Sequence, residues 1–144
     1  MTISRRDFIK LSAVASAAGF VGFPVMSRGA ASKRVVVVGG GTGGATAAKY
    51  LKMFDPSIEV TLIEPNPHHY TCYFSNEVIG GLRTLDSLKV GYDGLAKRGI
   101  KVVQKAATAI DGPGKKVTVD GGETFAFDAC VVSPGIELKF EGIK

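Results

Sequence analysis

The feature that most constrains the fold is a run of four valines that leads directly into a glycine-rich turn. Val35 to Val38 predict a strand that is buried on both faces, as in a parallel sheet. Gly39 to Gly44 are expected to form a tight turn, and Ala45 to Phe54 have a helical composition. Val60 to Ile63 predict a second strand. The segment therefore predicts a strand–helix–strand unit of about 30 residues.

The glycines of this turn have the spacing G-x-G-x-x-G, at Gly39, Gly41 and Gly44. Gly39 permits the sharp turn out of the strand, Gly41 has no side chain to block a pyrophosphate, and Gly44 lets the helix pack closely on the strand. The N–H groups and the dipole at the helix start then hold the phosphates. We predict a Rossmann-like dinucleotide site rather than a ligand-free glycine loop. Its expected contacts along the turn are Gly39, Gly40, Gly41, Thr42, Gly43 and Gly44.

Glu64 follows the second strand and indicates which dinucleotide binds. A carboxylate at this position accepts hydrogen bonds from a ribose 2′-OH and repels a 2′-phosphate, so FAD or NAD is expected rather than NADP. In multi-domain flavoenzymes the first such unit of the mature chain usually holds FAD. We therefore expect FAD to contact Glu64 and the adjacent Pro65.

The rest of the chain predicts further elements of an α/β fold. Pro65 to Asn76 resembles a loop, and Leu85 to Arg98 is expected to be a helix, although Gly91 and Gly94 weaken that prediction. Strands are expected at 100–103, at 129–132, and at 117–119 paired with 123–127 in a hairpin. The predicted fold class is α/β, a Rossmann-like βαβ FAD-binding domain with a β-hairpin insertion.

No closing element follows the last predicted strand. We therefore expect residues 32–144 to be the N-terminal part of an FAD-binding domain in a longer protein, with no turnover of its own. A compact stand-alone nucleotide-binding module is the alternative.

Residues 1–31 are predicted to be an export signal. Arg5 and Arg6, with Phe8 two residues later, resemble a twin-arginine (Tat) signal, although an ordinary Sec signal is the alternative. The apolar run that follows is shorter than the roughly 20 residues that span a bilayer, so no permanent membrane span is expected. Gly29-Ala30-Ala31 fits signal-peptidase cleavage. We expect a periplasmic protein that folds around its cofactor before Tat export.

Composition excludes several other classes of protein. Hydrophobic residues make up 45% of the chain and charged residues 22%, which is incompatible with a disordered tail. The net charge is +5, but residues 1–31 hold four basic residues and one acidic residue. The remainder is close to neutral, so charge gives no argument for binding nucleic acid. Two cysteines are too few for a disulfide scaffold.

A family resemblance becomes specific at Tyr70-Thr71-Cys72-Tyr73 and at the segment 75–81, SNEVIGG. Together with 35–46, 58–65 and 128–137, these residues resemble the flavoprotein subunit of flavocytochrome c sulfide dehydrogenase, a glutathione-reductase-like flavoprotein. In that family the cysteine that matches Cys72 carries FAD covalently through an 8α-S-cysteinyl thioether. The flavin oxidises sulfide to sulfur-level products and passes electrons to a haem c subunit. The resemblance implies covalent FAD at Cys72, sulfide as the substrate and a cytochrome c subunit as the partner.

The resemblance also implies a second cofactor-contacting segment after the last strand. Ser133, Pro134 and Gly135 occupy its turn, where backbone approach to the cofactor requires small residues, although an ordinary strand-ending turn is the alternative. Ala107 lies where the backbone of the family meets adenine. The redox-active disulfide of the family lies in later sequence, so no catalytic residue is expected here. The haem motif Cys-x-x-Cys-His does not occur in this sequence.

The cysteines and histidines leave alternatives open. From the residues alone, Cys72 is an attachment point, an inert thiol or half of a disulfide with Cys130, and that disulfide would exclude the thioether. Cys130 lies in an apolar strand and is expected to be a packed core thiol. The adjacent His68 and His69 are expected to be a solvated pair, and no metal site is expected.

Two other functions compete with a sulfide dehydrogenase. A related flavoenzyme such as a sulfide:quinone or NADH:quinone oxidoreductase would deliver electrons to quinone at a membrane. A chain that ends naturally at residue 144 would suit a non-catalytic nucleotide-binding module. The export signal and Cys72 favour the sulfide dehydrogenase.

Overall fold

The computed structural model describes residues 32–136. The strands are β1 (Arg34–Val38), β2 (Glu59–Ile63), β3 (His68–Tyr70), β4 (Lys89–Gly91), β5 (Lys101–Val103), β6 (Ala107–Asp111), β7 (Lys116–Val119), β8 (Thr124–Ala126) and β9 (Ala129–Val132). The helices are α1 (Thr42–Phe54), α2 (Ser75–Ile79) and α3 (Asp93–Ala96), and Leu85–Leu88 form a 3₁₀ helix. The predicted export signal and its cleavage site lie outside the described residues.

The central element is a parallel sheet with the strand order β5-β2-β1-β9. β1 pairs in parallel with β2 on one side and with β9 on the other, so that Val36 lies opposite both Thr61 and Cys130. The strand order therefore reverses at β1, with β2 and β5 on one side and β9 on the other. In such sheets a crevice opens at the carboxyl ends of the strands where the order reverses, and ligands bind there.

The two faces of β1 pack against different layers. Val35 and Val37 belong to a buried cluster that includes Ala48 of α1. Val36 belongs to a second cluster, with Val117 of β7 and other residues of the antiparallel strands. Successive side chains of a strand point to opposite faces, which explains why the valine run is buried on both sides. The α/β fold class predicted from the sequence is confirmed.

The predicted hairpin is part of a three-stranded antiparallel sheet in the order β6-β7-β8. β6 was not predicted, because apolar and polar residues do not alternate regularly in its sequence, ATAID. None of its side chains is fully buried. The strand is defined by its antiparallel backbone pairing with β7, in which Ile110 lies opposite Val117. The register shifts between Ala107 and Ala109. This sheet lies between β5 and β9 in the chain.

The helix predicted over Leu85 to Arg98 is wrong. The segment contains the 3₁₀ helix, then β4, then α3. Glycine is costly within a helix, and β4 gains backbone pairing with β3, where Val90 lies opposite His69. The start of α1 also differs from the prediction, because the helix begins at Thr42 and not at Ala45.

Candidate dinucleotide-binding site

The glycine turn follows β1 and lies directly against the end of β9. Gly39 has a φ of +100°, a conformation that favours glycine. A Cβ atom at Gly39 would lie 2.0 Å from the Ser133 carbonyl oxygen, so the close approach of the two segments also requires glycine. The Ser133 N–H donates to the Val38 carbonyl at 2.8 Å. The glycine turn and the turn after β9 are therefore held side by side, and both were predicted to contact the cofactor.

The first turn of α1 lies on this glycine turn and leaves space beside it. A Cβ atom at Gly44 would lie 1.9 Å from the Gly39 carbonyl oxygen, whereas a Cβ atom at Gly41 would have nothing within 4 Å. Gly41 is the N-cap of α1 and has no side chain to cap the first N–H groups, and the first turn contains no acidic residue. Such N–H groups, with the positive end of the helix dipole, bind anions.

Glu64 lies beside the glycine turn in a fixed orientation. Its Oε2 accepts a hydrogen bond from the Gly40 N–H at 2.8 Å. Its Oε1 accepts from the backbone N–H of Asn66 at 2.9 Å and from the Asn66 side-chain amide at 2.8 Å. A carboxylate offers about four acceptor positions, so one is left for a further donor such as a ribose hydroxyl.

A groove of about 430 Å³ connects these groups. Its lining includes Gly41, Glu64 and Pro134, together with Asn66, Pro67 and His68 to Tyr70. The structure thus brings together the glycine turn, the acidic residue after β2 and the turn after β9. Pro65 lies in the chain between Glu64 and Asn66, and Gly135 follows Pro134 with a φ of +80°. The uncapped start of α1 and the remaining acceptor position of Glu64 are the kinds of group that an anionic dinucleotide requires.

A larger cavity, of about 590 Å³, begins at Thr42 on α1 and reaches the loop that carries Cys72. Thr71 and Tyr73, which flank Cys72 in the chain, both line it. The Thr71 N–H donates to the Leu88 carbonyl at 3.0 Å, which ties the start of this loop to the end of the 3₁₀ helix, directly before β4 of the ribbon formed by β3 and β4. Cys72 itself is exposed. The loop that carries Cys72 therefore borders a cavity that starts next to the glycine turn, and the flanking residues rather than Cys72 itself line that cavity.

Both cysteines are free thiols, so the disulfide alternative is wrong. Cys130 is half-buried in β9 and packs against the second buried cluster. Burial raises the pKa of the Cys130 thiol above its usual range. A partly packed thiol with a raised pKa is less reactive than an exposed one.

The prediction that His68 and His69 form a solvated pair is wrong, because both are half-buried. The His69 ring packs against the Tyr92 ring, with a centroid distance of 6.0 Å and an interplanar angle of 29°. Its Nδ1 atom is buried without a hydrogen-bond partner. Among residues 32–136, no group of three or more histidine, cysteine or acidic side chains is arranged to hold a metal ion.

Ala107 lies apart from the glycine turn in sequence and opens β6. It pairs with Val119 and packs, half-buried, against the second buried cluster. It lines neither the groove nor the larger cavity. Contact of this residue with adenine remains a prediction.

Two residues of the site were missed in the sequence. Asn66 orients Glu64, and Tyr92 donates its hydroxyl hydrogen to the Gly40 carbonyl at 3.0 Å. Tyr92 was hidden inside the helix predicted over residues 85–98. An aromatic residue between Gly91 and the Asp93-Gly94 pair was the available signal that the segment is not a continuous helix.

Comparison with known families defines the class of protein. Residues 33–143 match the family described as pyridine nucleotide-disulphide oxidoreductase. The chain belongs to this family. Residues 2–22 match the TAT (twin-arginine translocation) pathway signal sequence, which directs the protein to the periplasm. The Tat signal predicted from the sequence is confirmed.

Individual relatives agree with the family. The chain is 66% identical over 47 residues to the sulfide dehydrogenase [flavocytochrome c] flavoprotein chain of Chlorobaculum thiosulfatiphilum, which covers 33% of this chain and 98% of that sequence. It is 35% identical over 115 residues to the type II NADH:quinone oxidoreductase of Staphylococcus saprophyticus, which covers 78% of this chain and 28% of the relative. The resemblance to sulfide dehydrogenase flavoproteins is thus confirmed over a short region.

A solved structure supports the fold over a longer region. The sulfide:quinone oxidoreductase of Aquifex aeolicus superposes with a TM-score of 0.69 at 30% identity, covering 76% of this chain and 26% of that one. The chain therefore spans about a quarter of the length of this relative. Within residues 32–136, no helix is both long and apolar enough to cross a bilayer.

Proposed function

We propose that this chain is the FAD-binding part of a periplasmic flavoprotein that oxidises sulfide to sulfur-level products and passes the electrons to a cytochrome c subunit. The observation that carries the proposal is the groove in which the glycine turn, Glu64 and Pro134 meet. The 66% identity to a flavocytochrome c flavoprotein chain supports the substrate and the partner. The Tat signal is consistent with a protein that binds its cofactor before export.

In this proposal the chain binds and orients FAD, and the flavin supplies the redox chemistry. The N–H groups at the start of α1 hold the pyrophosphate, and Glu64 accepts from the adenosine ribose. The backbone of Ser133, Pro134 and Gly135 approaches the cofactor from the other side of the groove. The contact between Ser133 and the glycine turn supports this second approach.

We propose that Cys72 attaches the flavin through a thioether. The exposed thiol, on a loop that borders the cavity starting at Thr42, supports this assignment. Attachment joins the Cys72 sulfur to the 8α carbon with the loss of two protons and two electrons. A bound flavin would take up these electrons itself, and an oxidant such as dioxygen would restore its oxidised form. A covalent bond would prevent loss of the cofactor in the periplasm.

For the domain organisation, we propose that residues 1–31 are removed after export and that residues 32–144 form the N-terminal part of the FAD-binding domain. The match of the Tat sequence to residues 2–22 and of the oxidoreductase family to residues 33–143 supports a boundary between these segments.

A quinone-linked flavoenzyme is the second candidate. The similarity to the sulfide:quinone oxidoreductase of Aquifex aeolicus extends over 76% of the chain, whereas the sulfide dehydrogenase relative covers 33%. Both candidates would use the same groove for FAD. They differ in the electron acceptor and in whether Cys72 is attached to the flavin.

The test is the intact mass and visible spectrum of the complete exported protein after purification under denaturing conditions. The wild-type protein and a Cys130→Ala control are expected to retain one FAD each, and Cys72→Ala is expected to lose it. Sulfide oxidation is then followed with cytochrome c and, separately, with a water-soluble quinone. Covalent FAD with reduction of cytochrome c supports the proposal.

Other outcomes contradict particular parts of it. Release of flavin on denaturation would contradict the proposed thioether. Preferential reduction of quinone would favour the second candidate, a quinone-linked flavoenzyme. A protein that binds no flavin in any form overturns the proposed cofactor. Retention of flavin in Cys72→Ala would place the attachment at another residue.

A further inference from the structure

Tyr92 is the one buried aromatic hydroxyl that reaches the glycine turn from a distant part of the described chain. Its side chain is 5% exposed and belongs to the buried cluster beneath α1. Its hydroxyl donates to the Gly40 carbonyl at 3.0 Å across a separation of 52 residues. A buried hydroxyl without a partner is costly, so this bond fixes the ring and the carbonyl relative to each other.

The Gly40 carbonyl and the Gly41 N–H belong to one peptide unit. In a trans peptide these two groups point in opposite directions. A bond that holds the carbonyl oxygen toward Tyr92 therefore directs the Gly41 N–H away from Tyr92. Gly41 lines the groove, and the space beside it is open.

The preceding peptide unit is held from the other side. The Gly40 N–H donates to Glu64 at 2.8 Å. A Cβ atom at Gly40 would lie 2.6 Å from the Tyr92 hydroxyl oxygen and 2.8 Å from Cγ of Glu64, so the residue is enclosed between the two side chains. Two consecutive peptide units are thus fixed by side chains that come from different segments.

We propose that Tyr92 is a positioning residue for a dinucleotide diphosphate, because it holds the Gly40–Gly41 peptide with its N–H directed toward the phosphate. A rotation of this peptide would instead present a carbonyl oxygen to the anion. The inference rests on the proposed function only in requiring a bound diphosphate, and it does not depend on the thioether or on sulfide.

The surroundings of Tyr92 keep the donor in place. Burial, followed by the charge of Glu64, raises the pKa of Tyr92 to about 12, so the hydroxyl stays protonated at neutral pH. The His69 ring packs on the Tyr92 ring, and Tyr92 follows β4 directly in the chain. The same residue therefore links the glycine turn to the ribbon formed by β3 and β4, and β3 leads into the loop that carries Cys72.

The test compares Tyr92→Phe with a matched control in the complete exported protein. Both variants are made in a Cys72→Ala background, so that flavin can be removed. Tyr50→Phe is the control, because Tyr50 is exposed on α1 and stacks on Phe54. Binding of ADP, of adenosine and of FAD is measured by titration calorimetry, and the thermal midpoint is measured without ligand.

Tyr92→Phe is expected to weaken the binding of ADP and FAD by about threefold to tenfold, the range that one hydrogen bond supplies. Adenosine has no diphosphate, so its affinity is expected to be unchanged. Tyr50→Phe is expected to change none of the three affinities. A general structural role for Tyr92 would not separate ADP from adenosine in this way.

Three outcomes overturn the inference: unchanged ADP affinity in Tyr92→Phe, an equal loss for ADP and adenosine, or a Tyr92→Phe protein that does not fold. If the background protein binds ADP but the wild type never carries covalent flavin, the thioether fails and the Tyr92 result stands. If the background protein binds neither ADP nor FAD, both proposals fail.

Discussion

Substitution of Gly44 by alanine tests the close packing of α1 on the glycine turn. The added methyl group would lie 1.9 Å from the Gly39 carbonyl oxygen and 3.3 Å from Cγ1 of Val37. Ordinary contacts begin at 3.4 Å, so α1 and the turn would have to separate by about 1.5 Å. The clashing atom belongs to the backbone and cannot rotate away. Close-packed interiors yield little to such strain.

The size of the effect follows from two opposing contributions. Alanine is favoured over glycine inside a helix by about 1 kcal/mol. Overpacking a tight interior costs typically about 1–3 kcal/mol, and a backbone clash belongs at the upper end of that range. We therefore expect Gly44→Ala to lower the free energy of unfolding by about 1–2 kcal/mol.

Gly43→Ala provides the matched control in the same turn of the same helix. Its methyl group would meet only the Ser133 side-chain oxygen, at 2.9 Å, and that side chain can rotate. This variant keeps the gain in helix propensity and is expected to be at least as stable as the wild type. The three proteins are compared in a Cys72→Ala background, from which flavin can be removed, by urea unfolding followed by circular dichroism. The packing argument is refuted if Gly44→Ala is as stable as Gly43→Ala.

Two further substitutions test other parts of the site and the sheet. Gly41→Ala has open space and an ordinary φ of −64°, so its stability is expected to stay within about 0.5 kcal/mol of the wild type. Its ADP affinity is expected to fall on the order of tenfold, or about 1.4 kcal/mol, and unchanged calorimetric binding would contradict a phosphate at this position. Asp128 accepts hydrogen bonds from the backbone and side chain of Arg34, which lower its pKa below 3.8. The hydrogen bonds therefore stabilise the fold above pH 3.8, and this stabilisation is lost as the pH falls through the lowered pKa of Asp128. Asp128→Asn is expected to weaken the pH dependence of the free energy of unfolding in this acidic range. An equal pH dependence in the variant and the wild type would contradict this.

The site shows which features can be predicted locally and which cannot. The βαβ unit was predictable because the valine run, the glycine spacing and Glu64 act over short distances along the chain. The pairing of β3 with β4 was not, because the segment 85–98 has the composition of a weak helix. Only the backbone partners offered by His69 and its neighbours in β3 make a strand more favourable there.

The strand β6 was missed for a related reason. Its side chains give no alternation between apolar and polar residues, and its partner β7 supplies the hydrogen bonds that define it. Cys72 shows the same limit at the site, because its local sequence did not decide between a free thiol and a disulfide. From the residues alone a disulfide with Cys130 was an open alternative, and the free thiols exclude it.

The sequence by itself determined the family, the Tat signal and the need for glycine at the turn, because these depend on short-range patterns and backbone sterics. The tertiary structure decided which distant groups meet at that turn. Ser133 reaches Gly39 because β9 pairs with β1, and Tyr92 reaches Gly40 across 52 residues because its ring is buried beneath α1. Such contacts depend on strand order and on the packing of layers, and no local pattern of residues encodes either of them.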